Sequence, residues 1–378
     1  MEEIKNIQSR WDLAWSLYDE EKYEEAFKVF YQLAEGEGDA KAMYCIANMY
    51  YEGKGVKKDL KSAFAFYKKS AKLNFSAAQF DLGKLYFYGD GVEKNMVKAA
   101  ELFKKAADQG DDEAQCFLGN CYEFGNGVET NIELALKYYT LSAEQGNAEG
   151  MSSLGRFYYH GDVVQENMLI AYLLFEKAAE NGDVTAATYF GNCYENGYGC
   201  SKDLSKAVEW YTKAADKKDA GAQYHLGKLY FYGDGVEQDY SKAFKLFQKS
   251  ANQDNSEAQS MLAICYNHGL GVEQNYKLSF KYAAIAADKG NPTALNYLGD
   301  HYEKGLGVKK NIAKAIGLYL KSLELGSPMA KMSFGELYYR GEGLPQDKEE
   351  AYRLLKEAAD EGIEEAQAFI EENFKDKA

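Results

Sequence analysis

The twelve residues LGKLYFYGDGVE occur twice in this chain, at Leu82–Glu93 and, letter for letter, at Leu226–Glu237. The two copies are 144 residues apart, which is four times 36, and a period of 36 accounts for most of the chain. Tyr precedes a periodic glycine by three residues, and Asp or Asn follows that glycine by six. The periodic glycines are Gly53, Gly89, Gly125, Gly161, Gly197, Gly233, Gly269, Gly305 and Gly341. Such strict self-similarity indicates a tandem repeat array.

Each 36-residue unit reads as two helices joined by a short loop. In the second unit, Ala78, Leu82 and Tyr86 recur every four residues, as one face of a helix requires. Gly89 then predicts a left-handed C-terminal stop, and Asn95 predicts the N-cap of the next helix. The second apolar face consists of Ala99, Phe103, Ala106 and Ala107. One such hairpin cannot bury its face alone, so neighbouring units must stack into a continuous core.

The two ends of the array depart from the period. Residues 1–38 predict a helical hairpin with a shorter loop, and residues 363–378 predict one capping helix with no second helix. The charged run Glu371–Lys377 fits a solvated cap. The hairpin's apolar residues are Leu13, Ala14, Leu17, Tyr23, Ala26 and Phe30, and those of the cap are Ala366, Ile370 and Phe374. The nine units between them fill residues 39–362.

Composition excludes several classes of function. The formal net charge of −15 argues against nucleic acid as a partner and against an anionic membrane surface. No apolar run is long enough to span a bilayer, so we expect no membrane insertion. The first ten residues, MEEIKNIQSR, lack the basic and apolar regions of a signal peptide. We therefore expect a cytoplasmic protein.

The repeated pattern resembles a known family. The pattern A-x-x-x-L-G-x-x-Y-x-x-G-x-G-V-x-x-[DN]-x-x-x-A, followed by an aromatic residue and Ala-Ala, is similar to the Sel-1-like repeat, a relative of the tetratricopeptide repeat. The resemblance covers residues 39–362, and residues 1–38 resemble a plain tetratricopeptide hairpin. It implies an all-α fold, a right-handed α/α solenoid of helix-turn-helix repeats, acting as an adaptor or scaffold for protein partners. Val163 and Ala283 depart from the pattern, which predicts local adjustments only.

Residues that carry catalysis or bind metals are scattered. The four histidines, His160, His225, His268 and His301, lie in different repeats, about 20 Å apart for adjacent repeats. Cys121, Cys193 and Cys265 occupy one repeat position 72 residues apart, too far for a disulfide, so reduced and buried thiols are expected. The sequence therefore predicts no metal, no cofactor and no enzyme.

A remote alternative is a β-lactamase-like hydrolase. A secreted, cysteine-rich branch of the same repeat family includes proteins described as penicillin-binding or β-lactamase proteins. That branch places cysteines where this chain has residues such as Ala107 and Ala114, and this chain lacks an SxxK motif. The resemblance to that branch therefore fails at the cysteine positions and at the SxxK motif.

The first helices of a solenoid line its concave surface, and in tetratricopeptide domains three positions of each first helix face the groove. The resemblance assigns these positions to one set of candidate partner-binding residues. They are Trp11, Trp15, Tyr44, Asn48, Tyr51, Phe80, Lys84, Phe87, Asn120, Arg156, Tyr159, Asn192, Tyr224, Lys228 and Phe231.

Cations and amides alternate along this candidate groove. Lys84, Arg156 and Lys228 recur every 72 residues, with asparagines between them. Lysine and asparagine on neighbouring helices can hold a carboxylate, which predicts an acidic or carboxylate-ended peptide as partner. Two alternatives stay open. The aromatic and cationic residues can be structural, with Trp11 and Trp15 sealing the open end. The chain can also be an oligomerising protein that uses its convex face or its ends.

Overall fold

The protein is built from helices over the part of the chain that the structure describes. The structure is a computed structural model, and it describes residues 2–374. Met1 of the predicted hairpin, and residues 375–378 of the predicted cap with the end of the run Glu371–Lys377, lie outside the described residues. Between residues 2 and 374 there are 21 helices and no strand, so the predicted all-α fold is confirmed.

The helices are α1 (Glu2–Asp19), α2 (Tyr23–Glu37), α3 (Ala40–Glu52), α4 (Leu60–Lys72), α5 (Ser76–Tyr88), α6 (Met96–Ala107), α7 (Asp112–Phe124), α8 (Ile132–Glu144), α9 (Ala148–His160), α10 (Met168–Glu180), α11 (Val184–Asn196), α12 (Leu204–Asp216), α13 (Ala220–Tyr232), α14 (Tyr240–Ala251), α15 (Ser256–His268), α16 (Tyr276–Asp288), α17 (Pro292–Lys304), α18 (Ile312–Glu324), α19 (Pro328–Arg340), α20 (Lys348–Asp360) and α21 (Glu364–Asn373). Helices α3 to α20 form nine helix-turn-helix repeats. Repeat 1 is α3 with α4, repeat 2 is α5 with α6, and so on to repeat 9, which is α19 with α20.

The loop residues act as the sequence predicts. Gly89 ends α5 in the left-handed region, with φ of 85°, and its N–H donates to the carbonyl of Leu85. Asn95 caps α6, because its side chain accepts from the backbone N–H of Lys98. Such a cap satisfies an amide that the first turn of a helix leaves free.

The turn after each second helix also needs a left-handed residue, and six repeats use glycine there. Repeats 1, 5 and 6 instead place Asn74, Lys218 and Asp254 at that position, with φ of 63°, 69° and 71°. The unusual residues therefore leave the turn itself intact. Each of them has a Cβ atom that crowds the backbone in the left-handed region, a steric strain that glycine avoids.

The chain divides into two compact units. Unit 1 comprises Met1–Ala186 with Tyr198–Cys200, and unit 2 comprises Ala187–Gly197 with Ser201–Ala378. Within each unit, the core lies where the second helix of one repeat packs on the first helix of the next. In unit 1, for example, Phe103 of α6 is buried in one cluster with Leu118 of α7.

The same arrangement holds in unit 2, where Tyr319 of α18 is buried with Phe334 and Leu337 of α19. Fully buried alanines on both helices let the backbones approach closely. The predicted stacking of hairpins into a continuous core is therefore seen inside each unit.

The Leu-Gly pair of the repeat has a packing role. A Cβ on Gly83 would lie 2.6 Å from the Phe103 ring of the same hairpin, so no larger residue fits beside that aromatic side chain. Repeat 7 departs from the pattern at both positions together, with Ala263 for the glycine and Ala283 for the aromatic residue. In repeat 7 the larger residue on the first helix thus accompanies a smaller one on the second, whereas repeat 1 combines Ala47 with the aromatic Tyr67.

Most of the apolar residues predicted for the N-terminal hairpin and the C-terminal cap are buried or half-buried. Ala366, Ile370 and Phe374 are buried in one cluster with the second helix of repeat 9. The expectation that Leu13 belongs to the apolar face of α1 is wrong, since this side chain is exposed. Its neighbour Ala14 is fully buried in the core of the N-terminal hairpin. Among the described residues, no helix is long and apolar enough to cross a membrane.

Candidate functional site

The two tryptophans of α1 pack on the core of the N-terminal hairpin. The rings of Trp11 and Trp15 lie 5.7 Å and 5.4 Å from the ring of Phe30, measured between centroids. The ammonium group of Lys41 lies 5.0 Å from the Trp11 ring centroid. Trp11 is half-buried and Trp15 is exposed, so both combine a packing role with some accessible surface.

Four of the predicted partner-binding residues line one pocket in unit 1. Tyr44, Asn48 and Tyr51 of α3 face Lys84 of α5 across a cavity of about 510 Å³. The other lining residues are Glu52, Tyr67, Asp81, Leu85, Tyr88, Asp90 and Phe117. The pocket thus lies between repeats 1 and 2, with one wall contributed by repeat 3.

Hydrogen bonds hold the floor of this pocket in place. Asp81 accepts from the hydroxyl of Tyr44 at 3.0 Å and pairs with the ammonium group of Lys84 at 2.8 Å. The hydroxyl of Tyr67 donates to the side-chain oxygen of Asn48. Burial, together with the charge of Asp81, raises the pKa of Tyr44 and of Tyr67 above the ordinary tyrosine value. Both hydroxyls therefore stay protonated and act as donors.

Phe80 and Phe231 have little surface to offer a partner. Phe80 is 4% exposed and packs against the rings of Phe103 and Phe117. Phe231 is 9% exposed and packs against Phe247 in unit 2. Their positions in the helical period are those predicted, but rings from adjacent helices cover them.

The other candidates also make contacts within the chain. Half-buried Phe87 lies against Phe103, and Tyr159 lies 5.8 Å from the Tyr198 ring. In unit 2, Asn192 is half-buried, and its carbonyl accepts from the side chain of Asn196.

Half-buried Tyr224 has the ammonium group of Lys228 over its ring at 5.7 Å. Burial raises the pKa of Tyr224 to about 12, which keeps its hydroxyl protonated.

The alternation of asparagine and cation along the candidate groove depends on the aromatic residue that the second helix of the same repeat buries behind it. Where the second helix carries tyrosine, the first helix presents acceptors for its hydroxyl. Tyr139 donates to Asn120 at 2.8 Å and to Glu123 at 2.6 Å. Tyr211 donates to Glu195 at 2.6 Å. Tyr319 repeats the arrangement in repeat 8 with Asp300 and Glu303.

Where the second helix carries phenylalanine, the first helix presents a cation and an aromatic ring instead. Repeats 2, 4 and 6 have Phe103, Phe175 and Phe247 at this position. The cations of these repeats are Lys84, Arg156 and Lys228. The asparagine–cation alternation is therefore matched by a tyrosine–phenylalanine alternation in the core.

Each cation of this series already pairs with a carboxylate of the chain. Arg156 makes two hydrogen bonds to Glu123, at 3.1 Å and 3.0 Å. The Lys228 ammonium lies 3.6 Å from Glu195. In both cases the cation belongs to a phenylalanine repeat and the carboxylate to the preceding tyrosine repeat, so these pairs join neighbouring hairpins within one unit.

Glu195 is the most strongly perturbed carboxyl group of these pairs. Burial raises its pKa, but interactions with His225, Tyr211 and Lys228 more than offset that effect, and its pKa falls from 4.5 to about 2. The Nδ1 atom of His225 lies 3.4 Å from this carboxylate. Glu195 therefore stabilises the folded state in its ionised form.

Five thiols lie in the core of the part of the chain that the structure describes. They belong to Cys45, Cys116, Cys121, Cys193 and Cys265, all of which are buried as expected. Burial raises the pKa of Cys45, Cys121 and Cys265 to about 12, which makes them poor nucleophiles at neutral pH.

Sequence reasoning missed the buried tyrosines and the acidic side of the pocket. The sequence does contain a signal for these tyrosines, because a hydrogen-bond acceptor stands 19 residues before the tyrosine. The pairs are Asn48 with Tyr67, Asn120 with Tyr139, and Asp300 with Tyr319. The contribution of Asp81, Tyr88 and Asp90 had no such signal, because it depends on how adjacent hairpins are offset.

Comparison with known proteins identifies the repeat. A family model described as Sel1 repeat matches residues 40–75, 76–111, 112–147, 148–183, 185–219, 220–255, 256–291, 292–327 and 329–363. The chain belongs to the Sel1 repeat family. The Sel1 repeats thus coincide with repeats 1 to 9, and the resemblance that the sequence suggested is confirmed.

Solved structures agree with this assignment. One is c5321, a protective antigen present in uropathogenic Escherichia coli strains that displays an SLR fold. It is 31% identical, with 90% of this chain and 80% of that chain covered and a TM-score of 0.63. Another is a Sel1 repeat protein from Oxalobacter formigenes, 30% identical over 64% of this chain and 96% of that one, with a TM-score of 0.58. A search of curated proteins finds no match.

Proposed function

We propose that this Sel1 repeat protein is a non-catalytic interaction scaffold, which holds a segment of a partner protein on the surface formed by its first helices. The observation that carries the proposal is the pocket between repeats 1 and 2, where four predicted partner-binding residues meet around a cavity of about 510 Å³. Ligand sites of proteins are typically concave and lined mainly by apolar and aromatic side chains, and six of the eleven residues that line this pocket are aromatic or aliphatic.

The hypothesis of an acidic partner stays a prediction with a physical cost. Lys84, Arg156 and Lys228 each pair with a carboxylate of the chain, so an incoming carboxylate must displace one. Reversing Arg156 to Glu would also place two carboxylates together and disturb the fold. Variants of the exposed rings are therefore the cleaner test.

The experiment is affinity capture from a lysate of the source organism, read by mass spectrometry. The wild-type chain is compared with Tyr51→Ala/Tyr88→Ala, which removes two exposed rings from the pocket. The matched control is Tyr232→Ala, which changes the same residue in the identical stretch of repeat 6. A partner lost only with the pocket variant supports the proposal, and an unchanged set of partners contradicts it.

The proposal includes a cytoplasmic location, protein rather than nucleic-acid partners, and no enzymatic activity. Its support is the net charge of −15 and the burial of Cys121, Cys193 and Cys265, which lie in three different repeats. A fluorescent penicillin should fail to label the chain, and covalent labelling would revive the β-lactamase-like alternative.

A second candidate is self-association through the outer face of α10. Leu169, Ile170 and Leu173 of this helix are exposed and form an apolar surface in unit 1. Light scattering across a range of concentrations tests it. A dimer that Leu169→Glu/Leu173→Glu converts to monomer supports self-association, and a monomer at all concentrations excludes it.

A further inference from the structure

The pocket between repeats 1 and 2 is acidic and aromatic rather than basic. Its charged lining residues are three carboxylates against one ammonium group: Glu52, Asp81, Asp90 and Lys84. Tyr44, Tyr51, Tyr67, Tyr88 and Phe117 supply its aromatic surface. Aromatic faces carry negative potential and attract cations, so rings and carboxylates act in the same direction.

The single ammonium group is already engaged. Lys84 lies 2.8 Å from Asp81, and its ammonium group is 4.6 Å from the Phe80 ring centroid. Burial lowers the pKa of Lys84, but the charge of Asp81 and its hydrogen bond more than offset this, so the pKa is raised. A carboxylate ligand would have to replace Asp81 on this lysine.

The rim of the pocket carries the groups that are open to a ligand. Tyr88 is 58% exposed. Asp90 makes no ion pair with any side chain that the structure describes. Glu52 pairs with Lys54 at 2.7 Å, but both side chains are exposed, and exposed pairs of this kind contribute little and exchange readily. One face of Tyr51 already lies near the Lys58 ammonium, at 5.3 Å.

We infer that this pocket receives a lysine or arginine side chain of a basic partner segment, held between the Tyr88 ring and the Asp90 and Glu52 carboxylates. The inference rests on the proposed function and names the chemistry of its partner. A planar guanidinium group can stack on a tyrosine ring while it donates to a carboxylate. The cavity volume of about 510 Å³ admits such a side chain with neighbouring residues of the segment. The net charge of −15 attracts a basic segment from a distance.

The test uses two forms of one labelled, capped, Gly/Ser-based peptide, one with several arginines and the other with glutamates in their place. Binding to the full chain is followed by fluorescence anisotropy. Tyr88→Ala/Asp90→Asn should weaken binding of the arginine peptide about fivefold or more. Lys84→Gln should strengthen it about twofold, because a like charge leaves the pocket. Thermal unfolding checks that each variant is folded.

The matched control separates the pocket from general charge attraction. Tyr232→Ala/Asp234→Asn makes the same changes in the identical stretch of repeat 6, where Tyr232 is 57% exposed. This variant should leave binding of the arginine peptide within about twofold of wild type. Equal losses in both double variants would overturn the inference.

Two further outcomes would also overturn it. One is tighter binding of the glutamate peptide that Lys84→Gln abolishes. The other is a captured partner that depends on Tyr51 and Tyr88 but contacts the pocket through an acidic segment. In that case the proposed scaffold function stands, and only the assignment of a cationic side chain fails.

Discussion

The same twelve residues have different neighbours in repeat 2 and in repeat 6. In repeat 2, Lys84 pairs with Asp81 of its own helix. In repeat 6, His225 stands where Asp81 would be, and Lys228 faces Glu195 of the preceding repeat. Tyr51 occupies the position equivalent to Glu195 in the first case. Residues just outside the repeated stretch therefore decide which carboxylate neutralises the lysine.

What does not differ between the copies is their backbone and core. Gly89 and Gly233 end the two helices with φ of 85° and 78°. Gly83 lies against Phe103 as Gly227 lies against Phe247. The repeated residues thus specify the hairpin, while the electrostatic surroundings come from residues outside the twelve. These are Asp81 of the same helix in repeat 2 and Glu195 of the preceding repeat in repeat 6.

The largest expected difference between the surroundings of the two copies is in how the free energy of unfolding depends on pH in the acid range. Glu195 has a folded-state pKa of about 2 against an ordinary value of 4.5. A lowered carboxyl pKa stabilises the folded state above the unfolded pKa, and this contribution of roughly 3 kcal/mol disappears as the pH falls from about 5 towards 2. Glu195→Gln should therefore flatten the acid dependence of the free energy of unfolding, measured with urea. Glu209→Gln, which removes an exposed carboxylate of unit 2, corrects for the change in net charge. An unchanged slope would mean that Glu195 is not held ionised by its partners.

The next prediction concerns the close packing of a glycine against a phenylalanine ring, which the two copies share. Gly83→Ala and Gly227→Ala place a methyl group 2.6 Å and 2.7 Å from a phenylalanine ring. Each should lower the free energy of unfolding by about 2 kcal/mol, and by similar amounts, because overpacking has the same cause in both. Gly36→Ala in α2, where no atom lies within 4 Å of the new Cβ, is the control and should be neutral or slightly stabilising. A large difference between Gly83→Ala and Gly227→Ala would show that the two cores are not equivalent.

A third prediction concerns two substitutions that convert a phenylalanine repeat towards a tyrosine repeat. Phe247→Tyr buries a hydroxyl at the position where Tyr139 of repeat 3 finds Asn120 and Glu123. Repeat 6 has Lys228 and Phe231 at the equivalent positions, and neither side chain accepts a hydrogen bond. The cost should be about 1.5 kcal/mol. Phe231→Glu in the same background restores the acceptor that Tyr211 finds in Glu195, and it should recover part of the loss. Thermal and urea unfolding of the single and double variants measure this coupling, and additive effects would contradict it.

The smallest effect is expected in the turns that precede the two copies. Asn74 and Lys218 both adopt a left-handed backbone. Asparagine tolerates this conformation better than lysine, so Lys218→Gly should stabilise the chain by about 0.5 kcal/mol and Asn74→Gly by less. Differential scanning calorimetry of the two variants provides the comparison. A destabilised Lys218→Gly variant would mean that the lysine makes a contact worth more than the strain.

The sequence predicts the repeat, its hairpin and its caps because these depend on local chemistry. Gly89 and Asn95 are examples, since a left-handed stop and an N-cap are decided within a few residues. It could not predict the burial of Phe80, because Phe117 of the next repeat covers that ring. Nor could it predict that Arg156 meets Glu123, which depends on the lateral offset of two hairpins. The chemistry of the candidate pocket belongs to this second kind of information.

The pairing of Arg156 with Glu123, and of Lys228 with Glu195, has a consequence for how such a chain can grow or shrink. A tyrosine repeat leaves a largely buried carboxylate that the following phenylalanine repeat neutralises. Deleting one repeat of such a pair would strand that charge, whereas deleting both would not. The natural module for duplication, recombination or engineering is therefore the pair of repeats. The spacing of the two identical stretches, 144 residues, equals two such modules.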